Sequence, residues 1–439
     1  MNRYSFVASF LVMNTVMWAA PAFAQGQAVH VTTVAELYAA VNNPANTGVQ
    51  VELASGTYVL DPTQPNGGRL FLQDGMDLVG QNSYVDLDGD GVWDPRNPST
   101  PEVFADPATE TIIDGSTIVP PSIIGGVDAI ILVGHDNQVE RLTVRNYAGL
   151  GLIAATLAPT KGGLQAAVVD CIIEKSHRGV SLGNLGATVS GLNSRFTLER
   201  NIVRQHSVGG AFILNFALAM DARVDALVRH NRFYNNPAGL VVVSGAAADN
   251  GAAEVVSQGN IAEQNQVGLF LAGGQDALRL GLPQGGNNGQ LRFTSDGDAI
   301  WNNVGSGGVF AAGGYRSTSA AGTSSNNDVQ LQFLGTRFVK GEGPGNQFVT
   351  GTPPSSTRRD LWIAGGEGVM PPGSGNTVEI LVRQATSDGA DGAFFVNAAV
   401  YCTPGAPNTV TVIGSSLAFT QANDGVASPP SACFSSLQP

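Results

Sequence analysis

Between residues 139 and 271 the chain writes one pattern of apolar and polar positions five times. VERLTVRNYAGLGL, VVDCIIEKSHRGVSL, LERNIVRQHSVGGAFIL, VRHNRFYNNPAGLVVV and SQGNIAEQNQVGLFL share it. Each runs from an apolar residue through a polar turn to a second apolar residue, then through a second polar turn to Gly and an apolar strand. Aligned on the first turn, Leu142, Cys171, Asn201, Asn231 and Asn260 fall on one register position, with separations of 29, 30, 30 and 29 residues. A fixed period in the range of roughly 20–50 residues is the signature of a repeat architecture.

The filling of the repeat is β. Val, Ile, Leu and Phe come in short runs broken by Asn, Gly and Ser, which suits short strands and tight turns. No copy carries an apolar stripe of 3.6-residue period long enough for a helix of ~10 residues. Thirty residues accommodate three strands of ~5 residues with their turns, so each copy predicts one triangular coil of a parallel solenoid. Coils stacked about 4.8 Å apart bring equivalent residues over one another. Asn201, Asn231 and Asn260 then form a column of amides that donate and accept along the stack, and Asn236, Asn265 and Asn303 form a second. Asn also tolerates the left-handed backbone of a tight bend.

The flanks of the repeat divide the chain. Arg3, the apolar run 6–20 and Ala22-Phe23-Ala24 predict a signal peptide over 1–24, and hence a secreted or periplasmic protein. No later run approaches ~18 apolar residues, so no membrane span is expected. Residues 25–60 read as an N-terminal cap with the first strands. There Thr33 and Glu36 form a capping box ahead of a short helix over 37–41, which would cover the exposed end of the core. The stack is predicted over 61–420, with loop excursions near 81–110, 273–290, 311–326 and 341–358, followed by a tail over 421–439. Asp298 takes the register place in a later coil, and the segments beginning at Asn376 and Asn408 are late copies.

Composition narrows the partners. Gly is 56 of 439 residues, charged residues are 13%, and the net charge of −13 disfavours nucleic acid and anionic membranes. An anionic polysaccharide stays possible, because a basic patch or a bound cation reverses the local sign. Of the three cysteines, Cys171 sits at an inward register position and reads as a buried free thiol. Cys402 and Cys433 are placed for a disulfide that export permits.

The order TVAELYAAV, VELASGTYVL, MDLVGQN, then TIIDGSTI at 111–118 resembles the start of right-handed parallel β-helix proteins of the pectate-lyase-like superfamily, and the likeness runs through the coils to about residue 310. It implies the all-β, right-handed parallel β-helix fold with a short N-terminal capping helix. It leaves the reaction open, since the superfamily holds lyases, glycosidases, epimerases, adhesins and spike proteins. The paired-Asp and Gly-His-Gly motifs of its polygalacturonase branch are not found, and Gly134-His135-Asp136 matches only half of one.

Two constellations carry candidate chemistry. Asp86, Asp88, Asp90 and Asp94, with Gly91 at the sixth place, match the spacing of a calcium loop, with Asn97 where a bidentate carboxylate is usual. A structural Ca²⁺, a metal-free acidic turn and a catalytic cation are all open there. Three places past the register position come Arg145, Glu174, Arg204, Tyr234, Glu263 and Trp301, and one place before it come Arg141, Asp170, Arg200 and His230. Stacked, these make rows fit to grip an extended sugar chain, or a surface ladder of ion pairs. For a lyase or epimerase, His230 or Tyr234 is the candidate base, Arg200 or Arg204 the carboxylate clamp, and Glu174 or Asp170 the orienting acid. A glycosidase would need Glu174 with Asp170 or Glu199. The expected protein is a monomer that acts on or binds extracellular polysaccharide; the alternative is a non-catalytic glycan-binding or cell-surface scaffold.

Overall fold

The computed structural model describes residues 28–84, 103–104, 106, 108–119, 129–155, 163–185, 190–216, 220–246, 248–275, 286–316, 324–339, 347–350, 355–358, 360–364, 367–368, 374–387, 396–401, 408–414, 417–421 and 434–437. Among them, three long sheets run the length of the molecule, with 13, 10 and 12 strands, and every pairing within them is parallel. We call them A, B and C. One coil passes through all three: Arg223–Arg229 lies in A, Arg232–Tyr234 in B and Ala238–Ala246 in C. The next coil repeats this with Ala252–Gln258, Ile261–Glu263 and Val267–Gln275. This is the parallel β-helix that the period predicted, wound in the right-handed sense favoured by crossovers between parallel strands.

Alternation decides what fills the coil. In Ala252–Gln258 the burial runs alternately half-exposed and buried, so Ala253 and Val255 enter the core while Glu254 and Gln258 face out. Phe196, Phe233, Phe293, Phe333 and Phe338 are fully buried inside the stack. Each such ring is worth roughly 1.5–3 kcal/mol of burial. Sheet C departs from simple alternation. The side chains of its other face, Phe212, Val241, Val243, Phe310 and Trp362, are also buried and form clusters separate from the main core.

Bends are set by two devices. Every A–B bend from 141–142 to 384–385 has two residues, and the first is left-handed: Arg141, Asp170, Arg200, His230, Gly259, Gly297, Gly335 and Gln384 have φ between 51° and 67°. The second turns its side chain inward, and here the amide column forms as expected. The Asn201 Nδ2 donates to Asn231 Oδ1 (2.9 Å), Asn231 Nδ2 to Asn260 Oδ1 (2.9 Å), and Asn260 Nδ2 to Asp298 Oδ1 (3.1 Å). The backbone N–H groups of Asn201, Asn231 and Asn260 donate to the same oxygens. The second column, Asn236, Asn265 and Asn303, forms in the same way at the B–C bend.

Close approach explains the repeated glycine. A Cβ on Gly179, Gly210, Gly239 or Gly268 would stand 2.6–2.7 Å from the carbonyl oxygen of the equivalent glycine in the next coil. The sheet C strands from Arg178–Leu185 to Val267–Gln275 therefore exclude any side chain at this place.

At the N-terminal end Val34–Val41 is the capping helix, three residues longer than predicted because Val34, Ala35 and Glu36 already belong to its first turn. Both halves of the Thr33–Glu36 capping box are present. Leu37, Tyr38, Ala40 and Val41 are buried against the first coil. Other boundaries differ from expectation. Residues 311–316, read as loop, are the second half of strand Gly307–Arg316, whose glycines and alanines pack closely on sheet C. Within 341–358, Gln347–Thr350 and Ser355–Arg358 pair antiparallel. The stack also outlasts residue 420, since Phe434–Leu437 pairs with Thr409–Gly414. Ser83–Tyr84 pairs antiparallel with Val103–Phe104, the one described part of the 81–110 excursion to form strands. The signal peptide, the Asp86, Asp88, Asp90 and Asp94 loop, Cys402 and Cys433 lie outside the described residues. No described helix is long and apolar enough to cross a membrane.

Candidate functional site

The outward row of sheet B carries most of the candidate chemistry. Strands of three residues turn their first and third side chains outward, so Asp114, Arg145, Glu174, Arg204, Tyr234 and Glu263 stand over one another, with the carboxylates buried among their neighbours. The Arg204 guanidinium donates to Glu174 Oε2 and to the Tyr234 hydroxyl, both at 2.7 Å. Tyr234 lies between two cations: Arg204 is 5.7 Å and Arg232 4.9 Å from its ring centre. Arg232 in turn pairs with the buried Glu263. Burial pushes the Glu263 carboxyl up, with Arg232 pulling the other way. Burial also pulls the Arg204 guanidinium down, but its bonds to Tyr234 and Glu174 outweigh this and leave its pKa raised.

The expected alternation Arg145, Glu174, Arg204 is resolved into separate pairs. Arg145 turns to Asp114 of the preceding coil (3.3 Å), leaving Glu174 to Arg204 and to Lys175 (3.4 Å).

The second candidate row sits at the A–B corner. Asp170, Arg200 and His230 are the left-handed bend residues, so the backbone, as well as any chemistry, constrains them. Arg200 grips both oxygens of Asp170 (2.7 and 2.9 Å) and also reaches Glu199, which Arg229 holds from the next coil (2.7 Å). Burial lowers the pKa of the half-buried His230, Glu199 opposes this, and Arg229 and Arg200 add to it, so the ring is neutral at pH 7. The structure thus gathers Glu174, Arg204 and Tyr234 into one cluster, joined by Arg232 and Glu263, and Asp170, Arg200 and His230 into another, joined by Glu199 and Arg229. For the glycosidase reading, the carboxylates of Glu174, Asp170 and Glu199 are each already held by a guanidinium.

Inside the stack, three titratable groups take places where an amide or an apolar residue is usual. His206 stands in the second column: its Nδ1 accepts from the Ser176 N–H (3.2 Å) and its Nε2 faces the Ile173 carbonyl (3.0 Å). Burial lowers its pKa to about 4, so the imidazole is neutral and does the work of an amide. Asp298 ends the first column, fully buried and held by Ser295 (2.6 Å); burial raises it to about 6. Cys171 is free and buried, as expected, and burial pushes its thiol up to about 12, which removes it from nucleophilic chemistry.

Sequence reasoning missed two features. One is a third amide column at the C–A bend, where Asn327 Nδ2 donates to Asn376 Oδ1 (3.0 Å) and the Asn376 N–H to Asn408 Oδ1 (2.9 Å). The other is a groove of about 490 Å³ at the B–C corner, lined by Asn235, Pro237, Gln264, Gln266, Asn302 and Val304 over His206 and the second column. Its signal in the sequence was the run of amides on both sides of the inward Asn.

No protein-family model matches the chain. No curated protein matches it either. Among solved structures, the A-module of the Azotobacter vinelandii mannuronan C-5 epimerase AlgE6 is similar at 12% identity, covering 95% of this chain and 98% of that one, with a TM-score of 0.44. The A-module of AlgE4 from the same organism is 15% identical over 95% of each chain, at a TM-score of 0.37. The gp42 tailspike of Acinetobacter phage vb_AbaP_AS12 is 13% identical over 94% of this chain and 66% of that one, at a TM-score of 0.36.

Proposed function

We propose that the chain is exported and engages a uronate-containing extracellular polysaccharide along the outer face of sheet B, with Tyr234 at the centre of the contact. The observation that carries this reading is the phenol held between Arg204 and Arg232. A uronate carboxylate finds two guanidinium groups beside the phenol, and the tyrosine hydroxyl meets the sugar hydroxyls. Coils repeat at about 4.8 Å, so a polymer lying along the stack meets a new outward residue at each step.

If the contact is catalytic, the reaction class is lyase- or epimerase-like. The proton α to the uronate carboxylate passes to a base, and cations steady the negative charge left on the carboxylate. Tyr234 is the candidate base. The Arg204 guanidinium stands 2.7 Å from its hydroxyl oxygen, and Glu174 orients Arg204. At the neighbouring corner, neutral His230 is the second candidate base and Arg200 the second clamp. The acidic loop of Asp86, Asp88, Asp90 and Asp94 is proposed to hold a structural Ca²⁺, tested by a fall in unfolding temperature on adding chelator.

A second reading, a non-catalytic glycan-binding scaffold, is favoured by the pairing of the Asp170, Glu174, Glu199 and Glu263 carboxylates with arginines. One experiment separates the two. The purified protein is incubated with alginate and pectate in D₂O, absorbance is followed at the wavelength of unsaturated uronate ends, and deuterium incorporation is read by NMR. New absorbance marks a lyase, and deuterium without it an epimerase. Either should be lost at least 100-fold in Tyr234→Phe. Retention on the polymer without turnover makes the protein a binder. No retention and no turnover on any polyuronate removes the proposal.

A further inference from the structure

We propose that the B–C corner groove is a second glycan site, specific for a neutral saccharide. It is built by three successive coils. Asn235, Gln264 and Asn302 are the left-handed bend residues (φ 55°, 53° and 49°), stacked as one vertical row. Two places further on, Pro237, Gln266 and Val304 make a second row, and between the rows lies the inward column Asn236, Asn265 and Asn303. The result is a trough of about 490 Å³ with amides on one wall and a mixed apolar and amide wall opposite. That volume falls within the range of roughly 300–1,000 Å³ usual for small-molecule sites.

Its chemistry differs from that of the sheet B face. No carboxylate, Lys or Arg lines it, and its one titratable group, His206, is buried and neutral above about pH 4. The side-chain amides of Asn235, Gln264 and Gln266 make no hydrogen bond to any described residue, and all three are exposed. Each offers a donor and an acceptor a fixed distance apart, which suits the neighbouring hydroxyls of a pyranose. Val304 is 41% exposed, an apolar surface one coil beyond Gln266 on which the C–H face of a sugar packs. An anion would find no counter-charge here, and a purely apolar ligand would bury the amides without partners. A neutral saccharide of one to three residues meets both requirements.

The amides around the groove are held in place from inside. Asn265 Nδ2 bonds Asn303 Oδ1 and the Phe233 carbonyl, both at 3.0 Å, which fixes the bend that presents Gln264 and Gln266. A rigid floor lowers the ordering cost of binding.

The test uses the full-length mature protein and titrates maltohexaose, cellohexaose, xylohexaose, mannohexaose and an oligogalacturonate by isothermal calorimetry. Saturable binding of at least one neutral oligosaccharide is expected, weakened at least tenfold in Gln264→Gly/Gln266→Ala. Glycine is chosen at 264 because the left-handed backbone there would strain alanine. A second variant, Val304→Glu, adds a charge to the wall and should abolish neutral binding with the unfolding midpoint unchanged. Polyuronate retention, which reads the sheet B face, should be the same in all variants, so failure of one site is distinguishable from failure of the other. The inference is overturned if no neutral oligosaccharide binds, if the variants bind as well as the parent, or if the oligogalacturonate binding is the one the groove variants weaken.

Discussion

The amide columns and the charged row of sheet B share one period and one stacking geometry, yet they are built on opposite rules. An amide is complementary to itself, so Asn201, Asn231 and Asn260 repeat without change and each bonds the next. A charge repels its own copy. The sheet B row therefore changes sign between coils and closes into pairs, Asp114 with Arg145 and Glu174 with Arg204, with Glu263 leaving its row for Arg232. A continuous chain of bonds can sit in the dry interior, whereas the closed ion pairs line the outer face, where guanidinium groups cover the Asp114, Glu174 and Glu263 carboxylates.

The largest effect should come from interrupting the interior chain. In Asn231→Leu, the Asn201 N–H, the Leu198 carbonyl and the Asn260 side chain lose partners inside the core. At about 1–3 kcal/mol for each of these three buried groups, the loss should total about 3–9 kcal/mol, read as a drop in the urea midpoint. A midpoint within error of the parent would remove the column's structural role.

A smaller, pH-dependent effect should come from the imidazole in the second column. The native His206 takes up its proton only near pH 4, whereas the unfolded residue does so near 6.5. Between those values the unfolded chain binds more protons, so this residue's contribution to stability declines as the pH falls from about 6.5 to about 4, by on the order of 3 kcal/mol in all. Asp298 and Asp77 act in the opposite sense: burial raises both to about 6, so the native state gains protons first and is favoured as the pH falls below 6. His206→Asn should therefore remove the loss and leave the gain, and chemical denaturation at pH 7 and pH 5 should show the variant relatively more stable at the lower pH. An identical pH slope in parent and variant would overturn the assignment.

The smallest effect should come from the surface. Asp328→Asn breaks an ion pair with Arg292 (3.0 Å) in which both side chains are about 40% exposed. A cost of about 0–1 kcal/mol is expected, shrinking further in high salt. A loss as large as that of Asn231→Leu would erase the distinction between the interior chain and an outer ion pair.

What the sequence made legible follows the same division. The amide columns could be placed residue by residue, because an inward polar side chain must be satisfied by its own kind in the adjacent coil. The partner of Arg145 could not, since Asp114, 31 residues earlier, lies in a coil that precedes the five clear copies of the pattern. The column Arg141, Asp170, Arg200, His230 looked like chemistry because of its residue types. Its backbone role was written one coil later, where Gly259, Gly297 and Gly335 hold the same place with the same positive φ. The last strand, Phe434–Leu437, lay beyond reach because the spacing of late copies varies: Asn327, Asn376 and Asn408 stand 49 and 32 residues apart.

Two-residue corners between sheets A and B leave no slack, and the columns stay in register even where Asn260 and its successor Asp298 are 38 residues apart. With Asn287 in register over Asp249, the added length there lies between Gln275 and Gly286, at the C–A corner alone. Anyone wishing to display a foreign peptide on this scaffold has the attachment point marked out: a graft between those two residues rides on the outside of the column, while the same graft between Arg229 and Arg232 would sever it.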